Sequence, residues 1–354
     1  MTADKKIITE EKPVGVIGAG NFGTVIANML AANRKVLLYA RNAEDVQRIN
    51  ATHFNRGYEV HAQVEAVNEF ARIGRECEVI FPMVPSSHFR DMMVQLAPHL
   101  HPYHMLIHGT KGFDLSLPKG ETIETVKKLD RSMVKTMSEV IREESVAVRI
   151  GCLAGPNLSK ELAQRQPAAT VVASHFNEVI QTGKKLLKSD RFQVYENNDI
   201  VGVEIAGVLK NIIAIASGAL SGLGFGDNAK GLLISRGAVE MVYLGRALGG
   251  DTKAFLGVAG IGDLVTTCNS PKSRNFTVGY RLAKGEKLQD IIEDMKEVAE
   301  GINTVRIAKM CADHYKVRAL ITDRLYKVLF EGHTVEEALD FLMRYPLNMD
   351  IDFI

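Results

Sequence analysis

Cysteine is scarce in this sequence, which has only four among 354 residues. They lie far apart, at Cys77, Cys152, Cys268 and Cys311. No two of them form a CxxC pair, which argues against a disulfide framework and a zinc knuckle and favours reduced thiols in the cytosol. The run from His99 to His104 has loose metal-ligand spacing, but no carboxylate supports it, so we predict no metal site.

An excess of charge of either sign is also missing, because 43 basic side chains face 42 acidic ones. Such a balance excludes a strong general attraction to nucleic acid or to an anionic membrane, so any anion site must be local. The first residues lack the apolar core of a signal peptide, and the last residues lack a peroxisomal ending. A cytoplasmic protein without a targeting signal is therefore the expectation.

Long hydrophobic runs are limited to one, from 200 to 224, and its length makes a membrane span conceivable. Glu204, Lys210 and Asn211 interrupt the run, small residues recur along it, and no aromatic belt flanks it. These features favour a helix buried inside a domain over membrane insertion.

Two domains are expected from the length and from a change in pattern near residue 197. Short apolar runs alternate with helical patterns before that point, and only long helical patterns follow it. We predict an α/β Rossmann-like doubly wound sheet in residues 1–197 and an all-α domain in residues 198–354. The charge-rich stretch 118–144 is expected to carry an extra surface helix. The predicted strands begin near residues 14, 35, 78, 104, 148, 169 and 192.

A glycine motif, Gly18-Ala19-Gly20-Asn21-Phe22-Gly23, directly follows the first strand and opens a helix. Gly18 permits a tight turn, Gly20 lets the backbone approach a pyrophosphate, and Gly23 allows close packing of helix on strand. The helix N-terminus then points at the anion. In this context the motif indicates a dinucleotide site, the alternative being a tight glycine turn with no ligand.

The acidic residue that usually holds the adenosine ribose of NAD is absent at the end of the second strand, where Arg41 stands. A guanidinium there can pair with a 2′-phosphate, so NADP should be accepted and is plausibly preferred over NAD. A solvated loop arginine is the alternative.

Two lysines are candidates for the chemistry. Lys210 lies within the apolar run, where desolvation lowers an ammonium pKa toward a range useful for acid/base work. Pairing with Glu204 is the competing explanation, but six positions place the two on different helix faces. Lys111 follows a strand at the carboxyl edge of the sheet, where such sheets bind ligands, although an exposed loop lysine fits as well.

Two further segments have both a structural and a functional interpretation. Asp263 begins a short helical pattern with Thr267 one turn later, either as a helix cap or to orient the catalytic lysine and the substrate. Ser273, Arg274 and Asn275 precede a helix and offer a guanidinium fork and free N–H groups to a phosphate. Capping by Asn275 beside a solvated arginine is the alternative.

Together these motifs resemble the bacterial-type glycerol-3-phosphate dehydrogenases over almost the whole chain. The further segments that carry the resemblance are Val84-Pro85-Ser86, Thr110-Lys111-Gly112, Ala154-Gly155-Pro156-Asn157, Val208-Leu209-Lys210-Asn211, Gly260-Ile261-Gly262-Asp263-Leu264 and Val298-Ala299-Glu300-Gly301. The resemblance implies reversible hydride exchange between NAD(P)H and dihydroxyacetone phosphate, giving sn-glycerol 3-phosphate for phospholipid synthesis. A homodimer is implied as well.

The same resemblance assigns roles by position. It makes Lys210 the general acid/base and places around the substrate Lys111, Gly155, Asn157, Asp263, Ser273, Arg274 and Asn275. It places at the cofactor Asn21, Phe22, Arg41, Pro85, Lys111, Ser159, Arg274, Val298 and Glu300. The stretch 118–131 is longer than the family usually has, and Asn157 and Ser159 stand where its members vary.

Two other functions fit parts of the pattern. A dehydrogenase acting on a β-hydroxy acid or on ketopantoate would need a carboxylate clamp, whereas Arg274-Asn275 at a helix start favours a phosphate. A redox sensor that binds dinucleotide without turnover has no need of a buried Lys210 or of Lys111.

Overall fold

The computed structural model describes residues 11–295 and 299–346. Its main sheet has eight strands, which are β1 (Val14–Ile17), β2 (Val36–Tyr39), β5 (Val64–Val67), β6 (Val79–Pro82), β7 (Met105–His108), β10 (Arg149–Ala154), β11 (Ala168–Ala173) and β12 (Phe192–Asn197). Their order across the sheet is β12-β11-β10-β7-β6-β1-β2-β5. All neighbours pair in parallel except β10 and β11.

Two short antiparallel pairs lie outside the main sheet. They are β3 (Phe54–Asn55) with β4 (Tyr58–Glu59), and β8 (Asp114–Leu115) with β9 (Val134–Lys135). The helices of this half are α1 (Asn21–Ala31), α2 (Ala43–Thr52), α3 (Phe70–Glu76), α4 (Phe89–Leu96), α5 (Met137–Glu144), α6 (Ser159–Ala163) and α7 (Asn177–Leu187). The Rossmann-like sheet expected from the alternating pattern is thereby confirmed.

The order of the strands determines where a ligand can bind. Chain order reverses between β1 and β6, because the chain moves outward through β2 on one side and through β7 on the other. Open α/β sheets bind ligands in the crevice beyond the carboxyl ends of strands at such a reversal. The loops after Ile17 and Pro82 therefore border the cleft.

Helices make up the rest of the described chain. They are α8 (Ile200–Gly222), α9 (Asp227–Ala247), α10 (Thr252–Leu256), α11 (Asp263–Cys268), α12 (Arg274–Ala283), α13 (Leu288–Asp294), α14 (Gly301–Tyr315), α15 (Leu320–Phe330) and α16 (Val335–Arg344). A π-helical turn, Val258–Gly262, leads into α11. The predicted all-α half is confirmed, while the division at residues 1–197 and 198–354 stays a prediction, because one hydrophobic core runs through both halves.

Helix α8 is the central element of the helical half. It is long and apolar enough to cross a membrane, yet 89% of its apolar window is buried inside the protein, as expected for a core helix. Helix α12 crosses it closely: a Cβ at Gly218 would lie 1.9 Å from the carbonyl oxygen of Phe276, and one at Gly279 1.8 Å from that of Ile215. Only glycine permits this approach, which holds α12 firmly against α8.

The charge-rich stretch 118–144 differs from the expectation of a surface helix. Helix α5 forms only at its end, and the face with Val140 and Ile141 is buried in the core. Residues 118–131 form turns instead, with Leu129 fully buried. Arg131 holds this segment against the helical half, since its Nε donates to the carbonyl oxygen of Leu248 at 2.7 Å. The surface helix was wrongly expected because the many charged residues outnumber the few apolar ones, such as Leu129, that are buried here.

Candidate functional site

The glycine loop between β1 and α1 has the geometry that a pyrophosphate requires. Gly18 has a φ of 115°, and a Cβ there would lie 2.8 Å from the carbonyl oxygen of Met83. A Cβ at Gly23 would lie 1.8 Å from the carbonyl oxygen of Gly18. At Gly20, which precedes α1, a Cβ would meet no heavy atom within 4 Å. The space in front of the helix N-terminus is thus open, and the loop fits a dinucleotide.

Asn55 holds this loop in place through two hydrogen bonds, a role that the sequence analysis does not predict. Its Nδ2 donates to the carbonyl oxygen of Ala19 at 2.9 Å and to Thr24 Oγ1 at 2.8 Å, and the residue is 1% exposed. The short β3–β4 hairpin delivers Asn55 to α1 from far along the chain. An asparagine two residues before a glycine is typical of an ordinary turn, so the sequence around Asn55 does not predict this contact.

Four further candidate cofactor residues lie in or next to the segments that follow β1, β2, β6 and β10. Phe22 lies in the first turn of α1 against Gly109, and Arg41 is exposed just beyond the end of β2. Pro85 follows β6, and Ser159 begins α6. Val298 lies outside the described residues.

Glu300 links the two halves of the protein across the cleft. It precedes α14, is partly buried, and its Oε1 accepts a hydrogen bond from Ser86 N at 2.9 Å. Burial raises the pKa of Glu300, although the bond from Ser86 and the charge of Arg274 oppose that effect.

A lysine–aspartate–lysine cluster lies where the segment after β7 meets α8 and α11. The carboxylate of Asp263 accepts a hydrogen bond from Lys210 Nζ at 2.9 Å on Oδ1 and from Lys111 Nζ at 2.5 Å on Oδ2. Lys210 Nζ also donates to Thr267 Oγ1 at 2.5 Å, and that hydroxyl donates to the carbonyl oxygen of Asp263 at 2.7 Å. Lys111 Nζ further contacts the carbonyl oxygen of Gly155 at 3.1 Å. One carboxylate therefore holds two ammonium groups close together.

Burial and charge decide the protonation of this cluster. Lys210 is 6% exposed, and desolvation lowers its pKa to about 8; Asp263 opposes this shift, while the positive charge of Lys111 adds to it. For Asp263, burial alone would raise the pKa, but the two lysines outweigh it and hold the pKa below its ordinary value. The cluster is thus an ionised carboxylate beside an ammonium group able to release its proton near neutral pH.

The structure decides against two of the capping alternatives. Asp263 is the first residue of α11, but its carboxylate points to the lysines, and no side-chain hydrogen bond caps that helix. At α12 the cap is Ser273, whose Oγ accepts from Phe276 N at 3.3 Å. Asn275 is therefore not the cap of α12.

Arg274 and Asn275 lie in the first turn of α12, where backbone N–H groups point out of the helix. Asn275 Oδ1 accepts from Gly301 N at 2.9 Å, which fixes the side chain next to Glu300. A guanidinium, an amide and a helix N-terminus form a donor set suited to a phosphate dianion. Because α12 packs on α8, these donors have a fixed position relative to Lys210.

Asn157 lies on the loop after β10, close to Gly155. Its Nδ2 donates to the carbonyl oxygen of Ala169 at 2.9 Å. Its Oδ1 is buried and has no hydrogen-bond partner in the part of the chain that the structure describes. Such an orphaned acceptor is suited to a hydroxyl group from a ligand.

Comparison with known proteins gives consistent findings. The family described as NAD-dependent glycerol-3-phosphate dehydrogenase matches with its N-terminal part over residues 13–180 and with its C-terminal part over residues 199–340. A glycerol-3-phosphate dehydrogenase [NAD(P)+] of Pseudomonas putida is 38% identical over 352 residues, which is 98% of either chain.

Solved structures show the same likeness. The crystal structure of glycerol-3-phosphate dehydrogenase from Coxiella burnetii superposes with a TM-score of 0.84 at 29% identity, covering 94% of this chain and 99% of that one. A ketopantoate reductase from Ralstonia eutropha reaches a TM-score of 0.53 at 14% identity over 94% of this chain and 100% of its own. This second likeness shows the fold alone.

Proposed function

Because the chain belongs to the glycerol-3-phosphate dehydrogenase [NAD(P)+] family of oxidoreductases, we propose that Lys210 is the acid/base of its reaction. The reaction interconverts dihydroxyacetone phosphate and sn-glycerol 3-phosphate with NAD(P) as the redox partner. The contact of Lys210 and Lys111 with one buried Asp263 is the observation that supports this proposal. Neither the ketopantoate alternative nor the non-catalytic sensor is favoured.

Each residue of the cluster has a role in this proposal. NAD(P)H, when bound, supplies the hydride that reduces the ketone carbon. Lys210 donates a proton to the ketone oxygen as negative charge develops there, and it takes the proton back in the opposite direction. Lys111 stabilises the developing charge, while Asp263 and Thr267 hold Lys210 in place. Two ammonium groups and one carboxylate leave a net positive charge where the oxyanion forms.

Substrate binding completes the proposal. Arg274, Asn275 and the N-terminus of α12 bind the phosphate, with Ser273 at the same helix start. Gly155 contacts Lys111, and two residues further on a substrate hydroxyl can bind the orphaned Oδ1 of Asn157. We propose that the glycine loop holds the pyrophosphate of the cofactor, with Asn21, Phe22, Pro85, Ser159 and Glu300 around it.

We also propose three features that concern the protein in its cell. The enzyme acts in the cytoplasm, its glycerol 3-phosphate supplies phospholipid synthesis, and two chains form a homodimer. Each rests on the resemblance to the family. Sedimentation velocity of the purified protein at micromolar concentration tests the last feature, since a single monomeric species would contradict it.

The cofactor preference follows from Arg41. With dihydroxyacetone phosphate, we expect both NADH and NADPH to be oxidised, with the higher kcat/KM for NADPH. Substituting Arg41→Ala should raise the KM for NADPH about 10-fold or more, because a charge-assisted bond to the 2′-phosphate is lost. The KM for NADH serves as the internal control and should change little. Absorbance at the nicotinamide band measures both, and an equal rise for NADH would contradict a phosphate contact.

The pH dependence follows from the lowered pKa of Lys210, about 8. Reduction needs the ammonium form, so its kcat/KM should be level below that pKa and fall about tenfold per pH unit above it. Oxidation of glycerol 3-phosphate needs the neutral amine, so its kcat/KM should rise with pH and level off above the same value. Initial rates across the pH range in both directions provide the measurement. A reduction profile without a break up to the ordinary lysine pKa would contradict the assignment.

A further inference from the structure

A second group of buried polar side chains joins β7, α5 and α8, the helix that also carries Lys210. His108 is the last residue of β7, Ser138 is in the first turn of α5, and Glu204 is in α8; their exposures are 1%, 3% and 6%. Glu204 Oε1 accepts from Ser138 N at 2.9 Å, and Oε2 accepts from Ser138 Oγ. His108 Nε2 lies 2.9 Å from Glu204 Oε1. One carboxylate thus joins three elements of the fold.

The contact between His108 and Glu204 is close but is not a well-directed hydrogen bond. Neither ring nitrogen of His108 makes a well-directed hydrogen bond to the described part of the chain. Burial alone would raise the pKa of Glu204, but the charge of His108 and the two bonds from Ser138 outweigh it and lower the pKa. Glu204 is therefore held as a carboxylate, and a buried carboxylate of this kind tolerates the loss of its partners poorly.

The position of the pair in the chain connects it to the lysines. Lys111 comes three residues after His108, and Lys210 comes six residues after Glu204. The loop from His108 to Lys111 is consequently fixed at both ends. Glu204 holds its start against α8, and Asp263 holds its end beside Lys210 on the same helix.

We propose that His108 and Glu204 are positioning residues for the reaction, which set the distance between the Lys111 loop and the helix that carries Lys210. Neither side chain reaches the lysines, so their effect passes through the backbone. The inference rests on the proposed roles of the two lysines. A displacement of about 1 Å of a catalytic group can cost up to about 100-fold in rate, which makes such an anchor consequential.

Glu240 provides a matched control for Glu204. It is also a buried carboxylate in the middle of a long helix, α9, and is 5% exposed. Its oxygens accept hydrogen bonds from Ile321 N at 2.8 Å, Thr322 N at 2.9 Å and Thr322 Oγ1 at 2.5 Å, at the start of α15. Glu240 therefore anchors a helix start just as Glu204 does, but it has no contact with the Lys111 loop.

The test compares Glu204→Ala, Glu204→Gln and Glu240→Ala at a temperature where all three are folded. Both alanine variants should lower the melting temperature. Only Glu204→Ala should also lower kcat with dihydroxyacetone phosphate, by about 10-fold or more, with the dissociation constant for NADPH unchanged. Glu204→Gln should recover most of the kcat, since its amide oxygen can accept from Ser138 N and face His108 Nε2, while its amide nitrogen can donate to Ser138 Oγ. If Glu204→Ala does not fold, His108→Leu replaces it with the same expected loss.

The outcomes separate this inference from the proposal on which it rests. A kcat within about twofold of the unmodified enzyme in both Glu204→Ala and His108→Leu would overturn the positioning role. An equal loss of kcat in Glu240→Ala would overturn it too, because general destabilisation would then explain the effect. If Lys210→Ala, measured alongside, turns over normally, the proposed function itself fails.

Discussion

Replacing Lys210 by alanine should lower kcat for the reduction of dihydroxyacetone phosphate by about 10²–10⁴-fold, the usual contribution of a general acid. The reason is that Lys210 alone among the lysines that the structure describes is buried, with Nζ bonded to both Asp263 and Thr267. The dissociation constant for NADPH, measured by quenching of its fluorescence, should stay within about threefold, because the glycine loop lies on the other half of the protein.

Lys253→Ala is a suitable control for this experiment. Lys253 is an exposed lysine of α10 in the same half of the chain, so its loss changes the net charge equally without touching the cleft. Its kcat should equal that of the unmodified enzyme. Turnover of Lys210→Ala at the rate of Lys253→Ala would remove the proposed mechanism, whereas loss of NADPH binding in Lys210→Ala would point to a structural role.

Substituting Arg274→Ala should raise the KM for dihydroxyacetone phosphate by about 10–100-fold, because hydrogen bonds between a guanidinium and a phosphate dianion are lost. Arg274→Lys should recover part of the affinity, since it keeps the charge but not the two-pronged geometry. Steady-state kinetics at saturating NADPH give both values. Helix α12 and Asn275 remain in these variants, so kcat at saturating substrate should fall less than KM rises.

A substrate without phosphate separates a phosphate site from a general effect on the cleft. Dihydroxyacetone should be a very poor substrate of the unmodified enzyme, and Arg274→Ala should leave its kcat/KM within about threefold. If kcat/KM fell equally for dihydroxyacetone and for its phosphate, Arg274 would act on the cleft as a whole and the phosphate assignment would be wrong. Such an effect would pass through Glu300, because the positive charge of Arg274 opposes the rise of the Glu300 pKa that burial causes.

Local patterns in the sequence were sufficient to predict the fold class. A glycine motif between a strand and a helix is a local feature, and so is an apolar helix interrupted by one lysine; neither needs knowledge of distant contacts. The edge strand Val64–Val67 was missed because its alternation is short and lies among polar residues.

The contacts within the site could not be predicted from the spacing of residues in the sequence. Asp263 is separated by 152 residues from Lys111 and by 53 from Lys210, so only the tertiary fold brings the three together. Asn55 and Glu204 show the same limit. A buried polar residue has a partner as a rule, but the identity of that partner depends on packing between distant elements.

In the proposed mechanism, desolvation gives the Lys210 ammonium a pKa suited to proton transfer. Titration of ¹³C-labelled lysine side chains by NMR, with the Lys210 signal identified by its absence in Lys210→Ala, measures that pKa directly. We expect a value of about 8, and a lower one in Asp263→Asn, since the carboxylate that opposes the shift is removed. A Lys210 signal that titrates together with the exposed lysines, near the ordinary value of about 10.4, would contradict the account.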